Sequence, residues 1–242
     1  MKIGVKTFDD LKFLQEFEGK VDFFEIMAID NPRREIIEFL TKTKTPIIIH
    51  AQHRGFGVNN ADKSKEEINN QAIKTAIKLA EKVGAKKIIT HPGELDNKNC
   101  SEEQSINFIR KINDKRVIIE NLPYHNKTRL CSTLEDTSKY LKETNSGLCF
   151  DINHAISAAL ELKEDYIEFV KKFIKLKPTH YHLGGQKIKG DITHLCFKDS
   201  DIDLKKVIEI LPKDAEVTLE VTTDLEKTKD DLNTIKSLLK ER

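Results

Sequence analysis

Six short apolar runs in this chain of 242 residues end, or nearly end, on a side chain that can hold a metal ion or move a proton. His50 closes TPIIIH, His91 closes KKIITH, Glu120 closes RVIIE, Asp151 closes GLCFD, His182 lies late in THYH and Glu220 lies late in EVTLE. Brought together, Glu120, Asp151, His182 and Glu220 make a mixed oxygen and nitrogen site of the kind that takes Mn²⁺, Mg²⁺, Co²⁺ or Zn²⁺. Three carboxylates buried side by side repel, and an unpaired buried charge costs several kcal/mol, so the pattern points to a divalent cation. The alternative is a core network in which Lys6 and other basic groups neutralise the acids.

A second layer holds His50, His91, His154, Asp191 and His194. Asp151 and His154 are three residues apart in DINHA, where a strand hands over to a loop, so one strand end can serve two metals. His50 and His91 end adjacent strands and can share a cation with Glu120. Asp191 and His194 lie in GDITH, expected as one short loop beside His154. Each of these side chains alone reads equally well as a hydrogen-bonded core or substrate-contacting group; together they favour more than one metal. His180 shares the inward face of His182 one layer deeper and reads as a packed barrel residue. His53 and His125 fall in loops, and Glu25 in VDFFEIM reads as a core partner for Lys6.

Strand ends can converge only if the strands are parallel and share one mouth. Eight candidate strands recur: KIGVK, VDFFEIMA, TPIIIHA, AKKIITH, KRVIIEN, GLCFDIN, THYHLGG and EVTLEVT. All are short and nearly continuously apolar, as parallel strands covered on both faces are. Helical periodicity fills the intervals, over about 10–17, 33–41, 65–83, 102–112, 133–143, 158–176, 204–211 and 225–239. In the clearest, Ile68, Ala72, Ile73, Ala76, Ile77 and Ala80 share one stripe, and Gly84 stops the helix. Strand and helix alternate with no linker or shift in composition, which predicts an α/β chain folded as one (β/α)8 TIM barrel domain over residues 1–242. In such barrels the C-terminal strand ends carry the chemistry.

Lys and Arg number 41 against 40 Asp and Glu, a formal charge of +1, so no global field pulls the chain toward nucleic acid. Four cysteines, Cys100, Cys131, Cys149 and Cys196, show no CxxC pair, which suits a reducing compartment, and no run approaches the roughly 18 apolar residues of a membrane span. The chain is therefore expected to be cytoplasmic, with no membrane partner.

The ordered segments HAQHRGFGVNN, ITHPGE, IIENLPYH, CFDINHA, HLGG, GDITH and TLEV resemble the strand-end motifs of the xylose isomerase-like TIM barrels, and among them the AP endonuclease family 2 enzymes typified by endonuclease IV. The resemblance covers nearly the whole chain. It implies that His50, His91 and Glu120 hold one zinc, with Glu120 bridging to a second on Asp151, His182 and Glu220. A third would sit on His154, Asp191 and His194. It further implies metal-assisted attack on a phosphodiester, with damaged DNA as partner. Asp191 and His194 are separated by two residues where that family has one between them, and the chain has only seven arginines for clamping phosphates. Sugar and sugar-phosphate isomerases and epimerases of the same superfamily resemble it through Glu120, Asp151, His182 and Glu220 alone. There one Mn²⁺, Mg²⁺ or Co²⁺ polarises a small sugar or phosphorylated substrate, while catalytic Glu120 and Glu220 move a proton between carbons. Lys6, Arg54 or Lys187 would meet a phosphate. In the loop from Ala51 to Asp62, Phe56 would wedge beside a flipped nucleotide, wall off a sugar as part of a lid, or simply pack on the rim.

Overall fold

Successive side chains of a strand point to opposite faces, so each strand here carries two separate patterns. The computed structural model describes residues 1–221 and 224–241. The chain runs through β1 (Lys2–Thr7), β2 (Phe23–Met27), β3 (Ile47–His50), β4 (Ile88–Thr90), β5 (Val117–Glu120), β6 (Gly147–Asp151) and β7 (His180–Leu183). A short hairpin of β8 (Gly185–Lys187) and β9 (Ile192–Leu195) follows, and then β10 (Glu216–Leu219). All but the hairpin strands pair in parallel and close into an eight-stranded barrel, β10 joining β7 to β1. This is the (β/α)8 architecture expected, and all eight predicted strands are present.

Phe23, Ile48, Ile89, Ile118 and Cys149 form a small buried cluster of their own, the apolar floor inside the barrel. Two residues further along the same faces stand Glu25, His50, His91, Glu120 and Asp151. Gly4 belongs to that floor, since a Cβ there would overlap the Phe23 ring. The intervening residues, among them Phe24, Ile49, Ile119, Phe150 and Tyr181, join the main core beneath the helices. Each fully buried Ile or Phe of this kind contributes about 1.5–3 kcal/mol. The fold thus rests on the outward faces and the floor, which leaves the upper inner layer available for polar groups.

The helices are α1 (Leu11–Phe17), α2 (Arg34–Lys42), α3 (Glu66–Val83), α4 (Glu102–Ile112), α5 (Leu134–Thr144), α6 (Ile152–Leu162), α7 (Tyr166–Ile174), α8 (Leu204–Ile210) and α9 (Leu225–Lys240). Side-chain oxygens of Asp10, Ser101, Thr133, Asp165, Asp203 and Asp224 cap their first turns, and Gly84 ends α3 at φ +70°. Among the described residues no helix is long and apolar enough to cross a membrane.

Three expectations need correction. The single helix over 158–176 is two, because Lys163 takes φ +59° and Asp165 caps a new start; α6 begins earlier, at Ile152, so His154 lies in its first turn rather than in a loop. Ile68 is 40% exposed. Asn69 faces inward instead, exchanging side-chain hydrogen bonds with the Asn59 main chain at 3.0 and 2.7 Å, which turns Ile68 to solvent. The GDITH segment is not a simple loop: its second half forms β9 against β8.

Candidate metal centre

Glu120, 1% exposed at the end of β5, is the centre of the polar layer. Its Oε2 lies 3.0 Å from His50 Nε2, 3.3 Å from His91 Nε2 and 3.5 Å from His182 Nδ1, and its Oε1 lies 3.5 Å from His154 Nδ1. Glu220 Oε2 is 2.6 Å and Asp151 Oδ2 3.9 Å from the same His182 nitrogen. Three overlapping groups that combine carboxylates with imidazoles result: His50, His91 and Glu120; Glu120, Asp151, His182 and Glu220; and Asp151, His154 and His194. Within each, the donor atoms lie within 4.8 Å of one another.

Local structure aims these side chains. A carbonyl oxygen only accepts, so a ring nitrogen facing one must carry the proton. His50 Nδ1 donates to Ala51 O at 2.8 Å, His154 Nδ1 to Asn121 O at 2.8 Å and His194 Nδ1 to Glu220 O at 3.2 Å. In each neutral imidazole the Nε2 lone pair is then left for a ligand role, the arrangement that orients metal-binding histidines. Asp151 caps α6 through Oδ1, which accepts from the His154 amide at 2.8 Å, and its own amide donates to Asn121 Oδ1 at 2.7 Å. That ties down one carboxylate oxygen and leaves Oδ2 facing the site.

Asp151 Oδ2, His182 Nδ1 and Glu220 Oε2 are buried and complete no well-formed hydrogen bond among the described residues, although His182 Nδ1 and Glu220 Oε2 stand 2.6 Å apart. An unsatisfied buried polar atom costs about 1–3 kcal/mol, and three pointing at one another are explained by a cation between them. The residues present therefore fit a divalent metal, and carboxylates mixed with imidazoles suit Zn²⁺, Mn²⁺ or Co²⁺ better than Ca²⁺.

Without a metal, Lys6 and His182 offset part of the charge of Glu25, Glu120, Asp151 and Glu220. Lys6 Nζ sits 2.8 Å from Glu220 and 3.3 Å from Glu25. Burial opposes its charge, but Glu220, Glu25 and Glu120 outweigh that and raise its pKa. The same contest holds His182 well above the usual histidine range, with burial against and Cys149, Glu25 and Glu220 for the charged form. Burial likewise works against ionised Glu120 and Glu220, yet His91 and His182 lower the first, and Lys6 and His182 lower the second, well below the usual carboxylate range. His53 is pushed down to about 3 by burial and by its neighbours His91 and His50.

Of the expected ligands, His50, His91, Glu120, Asp151, His154, His182, His194 and Glu220 are brought together, whereas Asp191 is not. The Asp191 side chain accepts from Ser157 Oγ and Gln186 Nε2, both at 2.7 Å, and Asp151 stands in the third group in its place. Lys6 points into the layer between two glutamates rather than to the surface. Arg54 is ion-paired with Glu94 at the rim, Lys187 is exposed on β8, and Phe56 is 36% exposed beside Phe8 at 6.4 Å between ring centroids. His180 is buried beneath His182, as expected.

Two neighbours carried little signal in the chain. His53 stacks on His91 at 5.0 Å, although it lies in a loop three residues past His50. Asn121 orders both Asp151 and His154, and only its place after Glu120 hinted at this.

A model of the family described as xylose isomerase-like TIM barrel matches residues 5–238. The protein named "Probable endonuclease 4" of Mesomycoplasma hyopneumoniae strain 7448 is 24% identical over 143 residues, 56% of this chain and 50% of that one, so the chain spans about half the length of the curated relatives it matches. Among solved structures, a D-tagatose 3-epimerase-like protein aligns at TM-score 0.75 and 21% identity over 100% of this chain and 99% of its own. Endonuclease IV of Thermus thermophilus aligns at TM-score 0.75 and 17% identity over 100% of both chains. At such identities the structural likeness speaks to the fold.

Proposed function

The chain belongs to the xylose isomerase-like TIM barrel family, and from that membership we propose that it is a divalent-metal-dependent enzyme that hydrolyses a phosphodiester in the manner of endonuclease IV. One observation carries this reading: His50 and His91 converge on Glu120 beside the four-residue group, so that a second metal could be held there by a carboxylate shared with the first. When bound, zinc in such a pair makes water a nucleophile near neutral pH and offsets charge on a phosphoryl oxygen. Glu120 would be shared by both positions, since its Oε2 lies within 3.5 Å of His50, His91 and His182. Asp151, His182 and Glu220 would complete one position, and His50 and His91 the other. At the rim, exposed Lys187 would meet further phosphates, Arg54 would do so on leaving Glu94, and Phe56 is exposed enough to stack on a base. Asp151, His154 and His194 offer a third position with two imidazoles and a shared carboxylate. A small phosphorylated substrate would use the same groups.

Replacing His50 and His91 together with Ala tests the reading. The parent is expected to hold at least two metal equivalents by elemental analysis and to nick an oligonucleotide bearing an abasic site; the double variant should lose one equivalent and the nicking. Retained nicking rules the assignment out.

The second reading, a sugar or sugar-phosphate isomerase or epimerase, draws on the position of Glu220: its Oε2 touches the His182 ligand atom while its Oε1 touches Lys6, so it can both hold an ion and exchange a proton. Glu120 would be its counterpart. Solvent exchange of a substrate C–H proton, stopped by Glu220→Gln, distinguishes it.

A further inference from the structure

The rule that sets the tautomers of His50, His154 and His194 fails for His182, which meets no main-chain carbonyl among the described contacts. Its Nε2 lies instead 2.9 Å from Glu25 Oε2 on the opposite side of the barrel, 157 residues away in the chain. That oxygen is crowded with donors. Thr218 Oγ1 donates to it at 2.7 Å, and His180 Nε2 lies 3.2 Å away. Glu25 Oε1 faces Lys6 Nζ at 3.3 Å. Glu25, His180, His182 and Thr218 are all 0% exposed, so no water competes for these contacts.

We infer that Glu25 is the positioning residue of the metal centre: by accepting from His182 Nε2–H it fixes the tautomer whose Nδ1 lone pair faces Glu120, Asp151 and Glu220. This deepens, and rests on, the reading of those four residues as a metal site. A carboxylate can only accept, so in the metal-free chain both ring nitrogens carry protons, Nδ1 meeting Glu220 at 2.6 Å and Nε2 meeting Glu25 at 2.9 Å; a cation taking Nδ1 would displace that proton, and the Glu25 contact would keep the remaining one on Nε2. Thr218 and His180 hold the carboxylate in register. Lys6 balances its charge and reaches on to Glu220, which links the orientation of one ligand to the placement of another. A Glu25 that served only as a counter-ion for Lys6 would not need to meet a second cluster with its other oxygen.

The test uses the full chain with zinc alone as probe. In the zinc-loaded parent, a long-range ¹⁵N–¹H spectrum of labelled histidine should show His182 protonated at Nε2 and ligated through Nδ1. Glu25→Ala should lower the affinity for one zinc equivalent by about 10–100-fold in competition with a chromophoric chelator, the usual effect of losing such an outer partner. The equivalent held by His50 and His91 should change far less. A proton on Nδ1 of loaded His182, or a folded Glu25→Ala chain that binds every equivalent with parental affinity, overturns the inference. If that variant does not fold, the tautomer in the parent decides. A parent that takes up no zinc overturns the metal reading and this role with it, whereas normal uptake with the reversed tautomer overturns the role of Glu25 alone.

Discussion

Glu120→Gln is the perturbation that reports most directly on the centre, because this carboxylate belongs to two of the three donor groups while the substitution keeps its volume. A ligand that binds only the folded state, supplied at a hundredfold over its dissociation constant, stabilises by about 2.7 kcal/mol per site. Unfolding entropy near about 2.1 cal/mol/K per residue amounts to about 0.5 kcal/mol/K over this chain, so each filled site raises Tm by about 5 °C. Two sites sharing Glu120 predict a rise of about 11 °C on adding zinc to the metal-free parent. With Gln at 120 both positions lose their common charged oxygen, and the rise should fall below about 3 °C. Scanning calorimetry of the metal-free and zinc-loaded forms of both proteins measures this, each variant serving as its own baseline. A Glu120→Gln chain that gains as much as the parent, or a parent that gains nothing while binding zinc, would refute the shared-carboxylate geometry.

Asp231, buried under the turn at Phe197, is pushed up to about 6, chiefly by burial and by Asp230, against the Phe197 amide that donates to its Oδ1 at 2.9 Å. Its folded pKa lies above its ordinary value, so the folded state binds the proton more tightly. The stability cost is absent below about pH 4, grows from there to about pH 6 and is complete above it, reaching at most about 3 kcal/mol. Asp231→Asn should therefore raise the denaturation midpoint at pH 8 and leave it nearly unchanged at pH 4; equal effects at both would show that ionisation is not the cause. Gly93, two residues past His91, has φ +113°, and a Cβ there would come within 2.6 Å of the Ala61 amide and of Asn59 Oδ1. Gly93→Ala should destabilise by about 1–3 kcal/mol and displace His91, read as a loss of one metal equivalent; unchanged stability and metal content would contradict this.

Much of the centre was legible in one dimension. Strand ends at His50, His91, Glu120, Asp151, His182 and Glu220 could be read because each polar residue follows a run of β-branched or aromatic residues, and a closed parallel barrel gathers every such end at one mouth. His154 could be read from its spacing to Asp151, although the sequence placed it in a loop and the structure starts α6 before it. The break at Lys163 could not be foreseen, since a lysine has no preference for positive φ; the Lys163 and Glu164 amides close the turn there by donating to the Leu160 and Ala159 carbonyls.

What the linear chain determined is which chemical groups stand at the barrel mouth and how many, since alternation along each strand sends every second side chain inward whatever the partners are. What only the folded state decided is which atom of each group faces the centre. Asp191 sits at φ +48° with its carboxylate engaged by Ser157 and Gln186, and Glu25 reaches across the barrel to His182. Hydrogen-bond direction and rotamer depend here on neighbours as far as 34 residues away for Asp191 and 157 for Glu25, and no local pattern encodes them.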